Sequence, residues 1–204
     1  MSETRDLVMF TGIIEGIGKI AEVSPAGPGK RVRIEMDEIS LSVGDSVAVD
    51  GVCLTAEEVL SNGFVAYLST ETLKRTKFGR VLRPGYLVNI ETPLTPDKFL
   101  SGHLVQGHVD AVGTLKRLTR RGEEAEMEIE FPRVWGKYLV EKGPVAVDGV
   151  SLTVVKLLPN RFTVALVAHT LKATAFGSRP PRSLLNLEFD LFAKYVEGFL
   201  RGSR

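Results

Sequence analysis

The chain has few of the residues from which metal sites and disulfides are built. Its 204 residues include one cysteine and three histidines. A single cysteine excludes an internal disulfide and a cysteine-based zinc site, and it fits a reducing compartment, so we expect a cytoplasmic location. His103 and His108 are five residues apart, on opposite faces of an extended chain, and no acidic cluster accompanies them. We therefore expect no bound metal.

The sequence also lacks a charge imbalance and long apolar runs. Its 26 basic and 25 acidic residues give a net charge of +1, which indicates no nucleic-acid or anionic membrane partner. No apolar run approaches the roughly 20 residues that span a bilayer. The first six residues include acidic ones and no apolar core, so we expect no signal peptide there.

What the sequence does contain is a repeat. Residues 47–55, VAVDGVCLT, return at 145–153 as VAVDGVSLT, and the one difference sets Cys53 against Ser151. Three more blocks recur in the same order: 12–20 with 107–115, 64–74 with 162–172, and 87–91 with 184–188. Their offsets of 95 to 98 residues indicate a tandem duplication. The predicted parts are an extension, 1–8, a first domain, 9–97, a second domain, 98–190, and a C-terminal segment, 191–204.

Each long repeat block has Asp-Gly between two β-branched runs, which predicts a tight hairpin with a type I′ turn. Asp50 and Asp148 are predicted to act only as turn formers. After the turn, Cys53 and Thr55 are two residues apart and share one face of a strand, and the same holds for Ser151 and Thr153.

The remaining patterns indicate short strands and short helices. Turn residues at short intervals are typical of a small barrel or sandwich. Residues 70–76 and 170–175 each favour a short helix that stops near a glycine. Apolar residues at helical spacing predict an amphipathic tail helix, whose apolar stripe covers either a partner subunit or its own domain: Phe192, Val196, Phe199 and Leu200.

Several motifs together resemble the riboflavin synthase family: MFTGI at 9–13, TETL at 70–73, GHLVQGHVD at 102–110 and the two DGV(C/S)LT elements. The resemblance extends over nearly the whole chain, from Met9 to about Arg201. It implies an all-β fold of two tandem six-stranded Greek-key β-barrels, related by internal duplication, with a C-terminal amphipathic α-helix. It also implies a homotrimer.

The reaction implied by this resemblance is the last step of riboflavin biosynthesis. Two molecules of 6,7-dimethyl-8-ribityllumazine dismutate by transfer of a four-carbon unit, which gives riboflavin and 5-amino-6-(D-ribitylamino)uracil without a cofactor. In the family the site lies between the first barrel of one subunit and the second barrel of a neighbour. Lumazine synthase is a further candidate partner.

The resemblance also implies two substrate pockets. The first is lined by Gly12, Ile13, Ile14, Cys53, Leu54, Thr55, Tyr67, Leu68, Ser69, Thr70, Glu71 and Thr72. The second is lined by Gly107, His108, Val109, Ser151, Leu152, Thr153, Ala165, Leu166, Val167, Ala168, His169 and Thr170, and Lys142 reaches across to the other pocket.

Five residues are candidates for catalysis: His108, Ser151, Thr153, Cys53 and Asp190. His108 and Ser151 are predicted to assist proton removal from the donor's C7 methyl group, or to activate the nucleophile at the acceptor. Cys53 has no basic neighbour in the sequence, so it is not predicted to be an activated thiolate. Asp190 is either a catalytic group or the N-cap of the tail helix.

Two other functions remain as alternatives. A non-catalytic fluorescent protein that binds lumazine or flavin has the same duplicated barrel, but its second half has lost polar residues that this chain keeps. A flavin reductase barrel would need a nicotinamide-binding G-x-G-x-x-G unit, which the sequence lacks. The retained polar residues favour the enzyme.

Overall fold

The structure, a computed structural model, describes residues 8–37 and 39–202. The predicted extension lies outside the described residues except for Val8, and so do residues 203–204 of the tail. The first half contains β1 (Gly16–Ala26), β2 (Gly29–Glu35), β3 (Ser46–Val49), β4 (Val52–Leu60), β5 (Gly63–Leu68), α1 (Thr70–Arg75), α2 (Phe78–Val81) and β6 (Leu87–Glu91). The second contains β7 (Ala111–Arg121), β8 (Glu124–Glu130), β9 (Pro144–Val147), β10 (Val150–Leu158), β11 (Arg161–Leu166), α3 (Ala168–Ala173), β12 (Leu184–Phe189) and α4 (Leu191–Gly202).

Each half closes into a six-stranded antiparallel barrel. The strands follow one another in the order β1-β2-β5-β4-β3-β6 in the first half, and the second half repeats this order as β7-β8-β11-β10-β9-β12. The last strand closes each barrel, since β6 pairs with β1 and β3 while β12 pairs with β7 and β9. The predicted all-β fold of two Greek-key barrels with a C-terminal helix is confirmed. The domain boundary at residue 97 stays a prediction.

Alternation along β4 separates core from surface. Val52, Leu54 and Ala56 point into the barrel and are buried, while Cys53 and Thr55 lie on the outer face, as the period of two requires. The two barrel cores are also equivalent. Phe64 and Phe78 fill the first, and Phe162 and Phe176, each 98 residues later, fill the second.

The short helices follow the last hairpin of each barrel. Ser69 caps α1 by accepting a hydrogen bond from the Thr72 amide at 3.1 Å. In the second half, α3 begins at Ala168, two residues before the predicted helix start at residue 170, and a 3-10 turn follows at Ala175–Ser178. Helix α4 contacts its own barrel through Lys137, whose Nζ lies 2.6 Å from Glu197.

The two Asp-Gly turns meet back to back between the barrels. Asp50 and Gly51 have φ of +44° and +73°, and Asp148 and Gly149 have +46° and +80°, which confirms the predicted type I′ hairpins. A Cβ atom on Gly51 would lie 2.7 Å from the Gly149 nitrogen. Glycine is therefore required here both for the turn and for the contact.

The prediction that Asp50 and Asp148 only form turns is wrong, because both are fully buried and bind two buried cations. The Lys77 Nζ lies 2.8 Å from Asp50 and 2.5 Å from Asp148. The Arg179 Nη2 lies 3.1 Å from Asp50 and 3.5 Å from Asp148. Burial disfavours the lysine's charge, but the two carboxylates outweigh this effect and raise the pKa of Lys77. We call these four residues the junction cluster.

Asparagines complete the junction cluster symmetrically. The backbone N–H of Asn89 donates to the Asp50 carboxylate, and the backbone N–H of Asn186 donates to the Asp148 carboxylate, both at 2.8 Å. Their side-chain amides cross over, so that Asn89 donates to the Asp148 carbonyl and Asn186 to the Asp50 carbonyl, each at 2.9 Å. Each turn is therefore hydrogen-bonded to both halves of the chain.

Removing the lysine from the junction cluster tests how strongly it stabilises the fold. We expect Lys77→Met to lower the free energy of unfolding by about 3–5 kcal/mol, because two buried carboxylates would then share Arg179 alone. Urea unfolding followed by tryptophan fluorescence measures this. Lys19→Met, which removes a part-exposed ion pair with Glu35, should cost less than about 1 kcal/mol. Equal effects of the two substitutions would contradict the assignment.

Candidate functional site

Each hairpin contacts a loop that comes from the other half of the chain. The Cys53 amide donates to the Gly107 carbonyl at 2.9 Å, and the Ser151 amide donates to the Gly12 carbonyl at 2.8 Å. Both glycines have φ of +76°, and a Cβ on either would lie 2.6 Å from the Cβ of the facing Cys53 or Ser151. Glycine is required at both positions for its conformation and for this close approach.

This exchange corrects the predicted grouping of pocket residues. Gly12, Ile13 and Ile14 were grouped with Cys53, and 107–109 with Ser151, but Ile14 packs on the core of the second barrel and Val109 on that of the first. The cause lies just upstream. Phe10 pairs with its own repeat equivalent, Val105, through hydrogen bonds of 2.7 and 3.0 Å, so the two segments cross between the barrels.

We therefore define two pockets by what surrounds them. The first pocket joins Cys53 and Thr55 of β4 to the loop 107–109, and the second joins Ser151 and Thr153 of β10 to the loop 12–14. Cys53 and Ser151 are half-buried, whereas Thr55 and Thr153 are exposed. The two hairpins thus present polar side chains outward at equivalent places, as predicted from the spacing.

Four predicted binding residues have their side chains inside the barrels: Leu54, Leu68, Leu152 and Leu166. Period-two alternation places them on the inner face of β4, β5, β10 and β11, so a ligand outside the barrel can reach only their backbone. That these four residues line a substrate pocket stays a prediction, and only their backbone groups could make the contact.

Other predicted pocket residues lie at the end of β5 or β11 and in the first turn of α1 or α3. In the first half the Ser69 and Thr72 hydroxyls lie 3.0 Å apart, Thr70 donates to the Pro28 carbonyl, and Glu71 forms an ion pair with Arg75. In the second half Val167 provides no side-chain cap, and His169 is exposed. The remaining residues predicted in these segments are half-buried or exposed: Tyr67, Ala165, Ala168 and Thr170.

A histidine that the sequence reasoning passed over contacts the predicted serine. The His103 Nδ1 lies 2.6 Å from the Ser151 Oγ. Burial lowers the pKa of His103, and the charge of Asp190 opposes this only in part, so a neutral imidazole faces the hydroxyl at neutral pH. The residue at the equivalent position in the first half is Val8, and this difference was the available signal.

His108 lies elsewhere in the same chain. Its side chain is exposed on the loop of the first pocket, whereas Ser151 belongs to the second. His108 and Ser151 therefore belong to different pockets of one chain. Their joint catalytic role stays a prediction.

The Cys53 thiol is protonated at neutral pH. Burial raises the pKa of Cys53 and the charge of Glu188 raises it further, while a hydrogen bond from Ser46 lowers it. A thiolate nucleophile would need a cationic neighbour. The structure favours a role for Cys53 in lining the pocket.

Two buried glutamates hold the pocket loops. Glu91 accepts hydrogen bonds from the Thr11 amide at 2.6 Å, the Thr11 hydroxyl at 2.8 Å and the Gly12 amide at 3.0 Å. Glu188 accepts from the amides of Gln106 at 2.7 Å and His108 at 3.0 Å. Burial raises the pKa of each carboxyl to about 7, although these hydrogen bonds favour the ionised form.

The remaining candidates lie at the ends of elements. The Asp190 carboxylate accepts a hydrogen bond from the Phe192 amide at 3.2 Å, which is the N-cap arrangement for α4. Lys142 is exposed in the turn before β9, with φ of +67°. Its reach into another subunit, like catalysis by Asp190, Thr153 or Cys53, stays a prediction.

Residues 8–37 and 39–202 contain neither a candidate metal cluster nor a candidate membrane-spanning helix. Within this part of the chain, no cluster of three or more His, Cys, Asp or Glu side chains could hold a metal ion. Nor is any helix in it long and apolar enough to cross a membrane.

A family match and two similar proteins of known name agree with one another. The Lumazine binding domain family matches the chain twice, over residues 11–93 and 106–190. The chain is 40% identical to the riboflavin synthase of Mycobacterium tuberculosis (strain ATCC 25618 / H37Rv) over 96% of this chain and 100% of that protein. It is 39% identical to the riboflavin synthase of Actinobacillus pleuropneumoniae over 94% of this chain and 90% of that one.

Solved structures share the architecture. LumP complexed with 6,7-dimethyl-8-(1'-D-ribityl) lumazine and LumP complexed with riboflavin match with TM-scores of 0.80 and 0.82, over 89% of this chain and 99% of theirs. Their sequences are 20% identical to this one. At that identity the likeness shows the fold alone.

The raised pKa values of Glu91 and Glu188 predict how stability depends on pH. In the folded state the pKa of each carboxyl is about 7, above the ordinary value of 4.5. The stabilisation that each protonated carboxyl gives the folded state is therefore complete below about pH 4.5 and is lost as pH rises through 7. Relative to Glu91→Gln/Glu188→Gln, the wild-type free energy of unfolding should fall by about 1–3 kcal/mol per group between about pH 5 and pH 8.

The matched control for this pH series is Glu35→Gln/Glu130→Gln. Hydrogen bonds from Lys19 and Lys116 lower the pKa values of these two carboxyls, so neither titrates in the window. Urea unfolding at each pH gives the free energies. A wild-type curve parallel to that of the Glu91/Glu188 variant would contradict the prediction.

Proposed function

The chain belongs to the riboflavin synthase family, and from this membership we propose that it dismutates two molecules of 6,7-dimethyl-8-ribityllumazine. One molecule gives up a four-carbon unit and leaves as 5-amino-6-(D-ribitylamino)uracil, and the other gains that unit and becomes riboflavin. The observation that carries this proposal is the pair of equivalent but unequal pockets. A dismutation needs two sites for one molecule and a different treatment at each.

The differences between the pockets suit these two roles. The first pocket offers the Cys53 thiol and the Thr55 hydroxyl beside the exposed His108. The second offers the Ser151 and Thr153 hydroxyls, with His103 hydrogen-bonded to Ser151. A flat amide-rich ring needs such neutral donors and acceptors, and its ribityl chain needs several more.

The chemistry requires proton removal from a methyl group and attack on a ring carbon. His108 is exposed on a loop rather than packed in a core, so it is accessible to a substrate or to a water beside it. The Ser151 hydroxyl is oriented by the His103 imidazole, which can accept its proton when the hydroxyl activates a nucleophile. Holding two rings in register removes a bimolecular cost worth up to roughly 7–11 kcal/mol.

The complete site is proposed to form between subunits of a homotrimer. Within one chain, the first and second pockets are built on different barrels, so neither can supply both sets of side chains to one ring pair. Helix α4 supports assembly, because Phe192, Val196 and Leu200 are 63%, 58% and 67% exposed along it. A cytoplasmic location and an association with lumazine synthase belong to the same proposal.

Incubation of the purified protein with 6,7-dimethyl-8-ribityllumazine alone tests the reaction. We expect one riboflavin for every two lumazines consumed, with no added cofactor, measured by riboflavin absorbance and by chromatography of both products. His108→Ala should slow turnover by about 100-fold or more, as loss of a proton-transfer group does. Glu35→Gln, on the outer surface of the first barrel, is the control.

One outcome would contradict the proposed reaction, and another would contradict only the role of His108. Tight, fluorescent binding of the lumazine without riboflavin formation would indicate a binding protein of the LumP type. Wild-type turnover by His108→Ala would leave the dismutation standing and remove His108 from it.

Assembly through α4 is tested by placing carboxylates on its apolar face. Val196→Glu/Leu200→Glu should convert a particle of three times 22.3 kDa into a monomer, because burying an unpaired carboxylate in an interface is unfavourable. Turnover should fall by at least about 100-fold, since the two rings would no longer be held together. Light scattering after size-exclusion chromatography gives the mass.

The control for the assembly test is Val155→Glu. Val155 is 38% exposed and lies on β10 rather than on α4, and this variant should keep the mass of the wild type. A monomeric Val196→Glu/Leu200→Glu variant with full turnover would show that one chain contains a complete site.

A further inference from the structure

Glu91 and Glu188 occupy equivalent positions near the ends of β6 and β12, and both are almost fully buried, with 2% and 5% of their surface exposed. Burial of a carboxylate is unfavourable unless hydrogen bonds satisfy it. All five donors to the two carboxylates belong to the segments 11–12 and 106–108. These two glutamates therefore serve the pocket loops and not the strands that carry them.

The crossing of the loops directs each glutamate to the opposite barrel. Glu91 lies on the first barrel and accepts a hydrogen bond from the Gly12 amide. The carbonyl of the same glycine accepts a hydrogen bond from the Ser151 amide, which belongs to the second barrel. Glu188 lies on the second barrel and accepts a hydrogen bond from the His108 amide. In the same loop, the Gly107 carbonyl accepts a hydrogen bond from the Cys53 amide of the first barrel. The influence of the Glu188 charge on the Cys53 thiol shows the same proximity.

We propose that Glu91 and Glu188 are positioning residues that act crosswise: Glu188 holds the His108 loop over the first pocket, and Glu91 holds the Ile13 loop over the second. Calling these pockets substrate pockets rests on the proposed function, but the crosswise hold itself does not. Each carboxylate accepts from two backbone amides at once, which fixes both the distance and the tilt of its loop. Glutamine places an NH₂ group opposite one of these amides and leaves that amide unsatisfied.

Thiol labelling measures the effect on the first pocket, because Cys53 is the only cysteine in the chain. The rate of alkylation by iodoacetamide, followed over a pH series, separates the thiol pKa from the limiting rate of the thiolate. Glu188→Gln should raise the limiting rate about tenfold, equivalent to roughly 1.4 kcal/mol, because the Gly107 loop no longer covers the sulfur. Glu91→Gln should leave this rate unchanged.

The reciprocal experiment uses Ser151→Cys in a Cys53→Ala background. Here Glu91→Gln should raise the limiting labelling rate and Glu188→Gln should not. Glu35→Gln and Glu130→Gln provide matched controls, since these two carboxylates occupy equivalent outer positions at the ends of β2 and β8 and pair with Lys19 and Lys116. Neither should change labelling in either background.

Three results would overturn the proposal. One is labelling that changes only in the barrel on which the substituted glutamate lies. A second is an equal change in both barrels, which would indicate general loosening. The third is a shift of the Cys53 pKa at constant limiting rate, which would mean that Glu188 acts by its charge and not by holding the loop.

Two further points keep the test decisive. If a glutamine variant does not fold, Glu188→Asp and Glu91→Asp keep the charge and shorten its reach, and the same crosswise pattern is expected at smaller amplitude. Labelling does not depend on turnover, so a protein that makes no riboflavin can still show the pattern. Conversely, a protein that makes riboflavin can fail to show it.

Discussion

The structure depends on a charge balance at the point where the two barrels meet. Asp50 and Asp148 reach the same lysine and the same arginine, and burying two carboxylates so deeply would be strongly unfavourable without those cations. The cations do not follow the repeat, because the equivalents of Lys77 and Arg179 are Ala175 and Val81. Each half therefore supplies one carboxylate and one cation, and each cation pairs with the carboxylates of both halves.

This junction determines where the pockets lie. Each Asp-Gly turn is fixed to both halves, and the strand that leaves it presents Cys53 or Ser151 two residues later. The loops that border these residues come from the opposite half, so every pocket is built from two repeats. A single repeat could close a barrel, since its own six strands pair, but it would lack one wall of its pocket. Duplication here provides the missing wall as well as a second site.

Local patterns predicted most of the fold and little of the long-range arrangement. The repeat, the hairpins and the outward placement of Cys53 and Thr55 follow from spacing within a few residues. The sequence could not show that loop 12–14 contacts Ser151. The spacing between repeat blocks is the same whether a loop contacts the hairpin of its own half or the hairpin of the other half. It did contain one unused signal. Asn89 and Glu91 recur as Asn186 and Glu188 in otherwise apolar strands, and such paired polar residues in a core require partners.

The differences between the halves matter as much as their likeness. A perfect repeat would give two identical pockets, and identical pockets would give the proposed four-carbon transfer no preferred direction. The chain departs from repetition at the pocket walls: Cys53 against Ser151, Ile13 against His108, and Val8 against His103. The buried glutamates and the turns, by contrast, are the same in both halves. The parts that hold the loops in place are thus duplicated, and several residues proposed to face a ligand have diverged, which suits the proposed dismutation of one substrate.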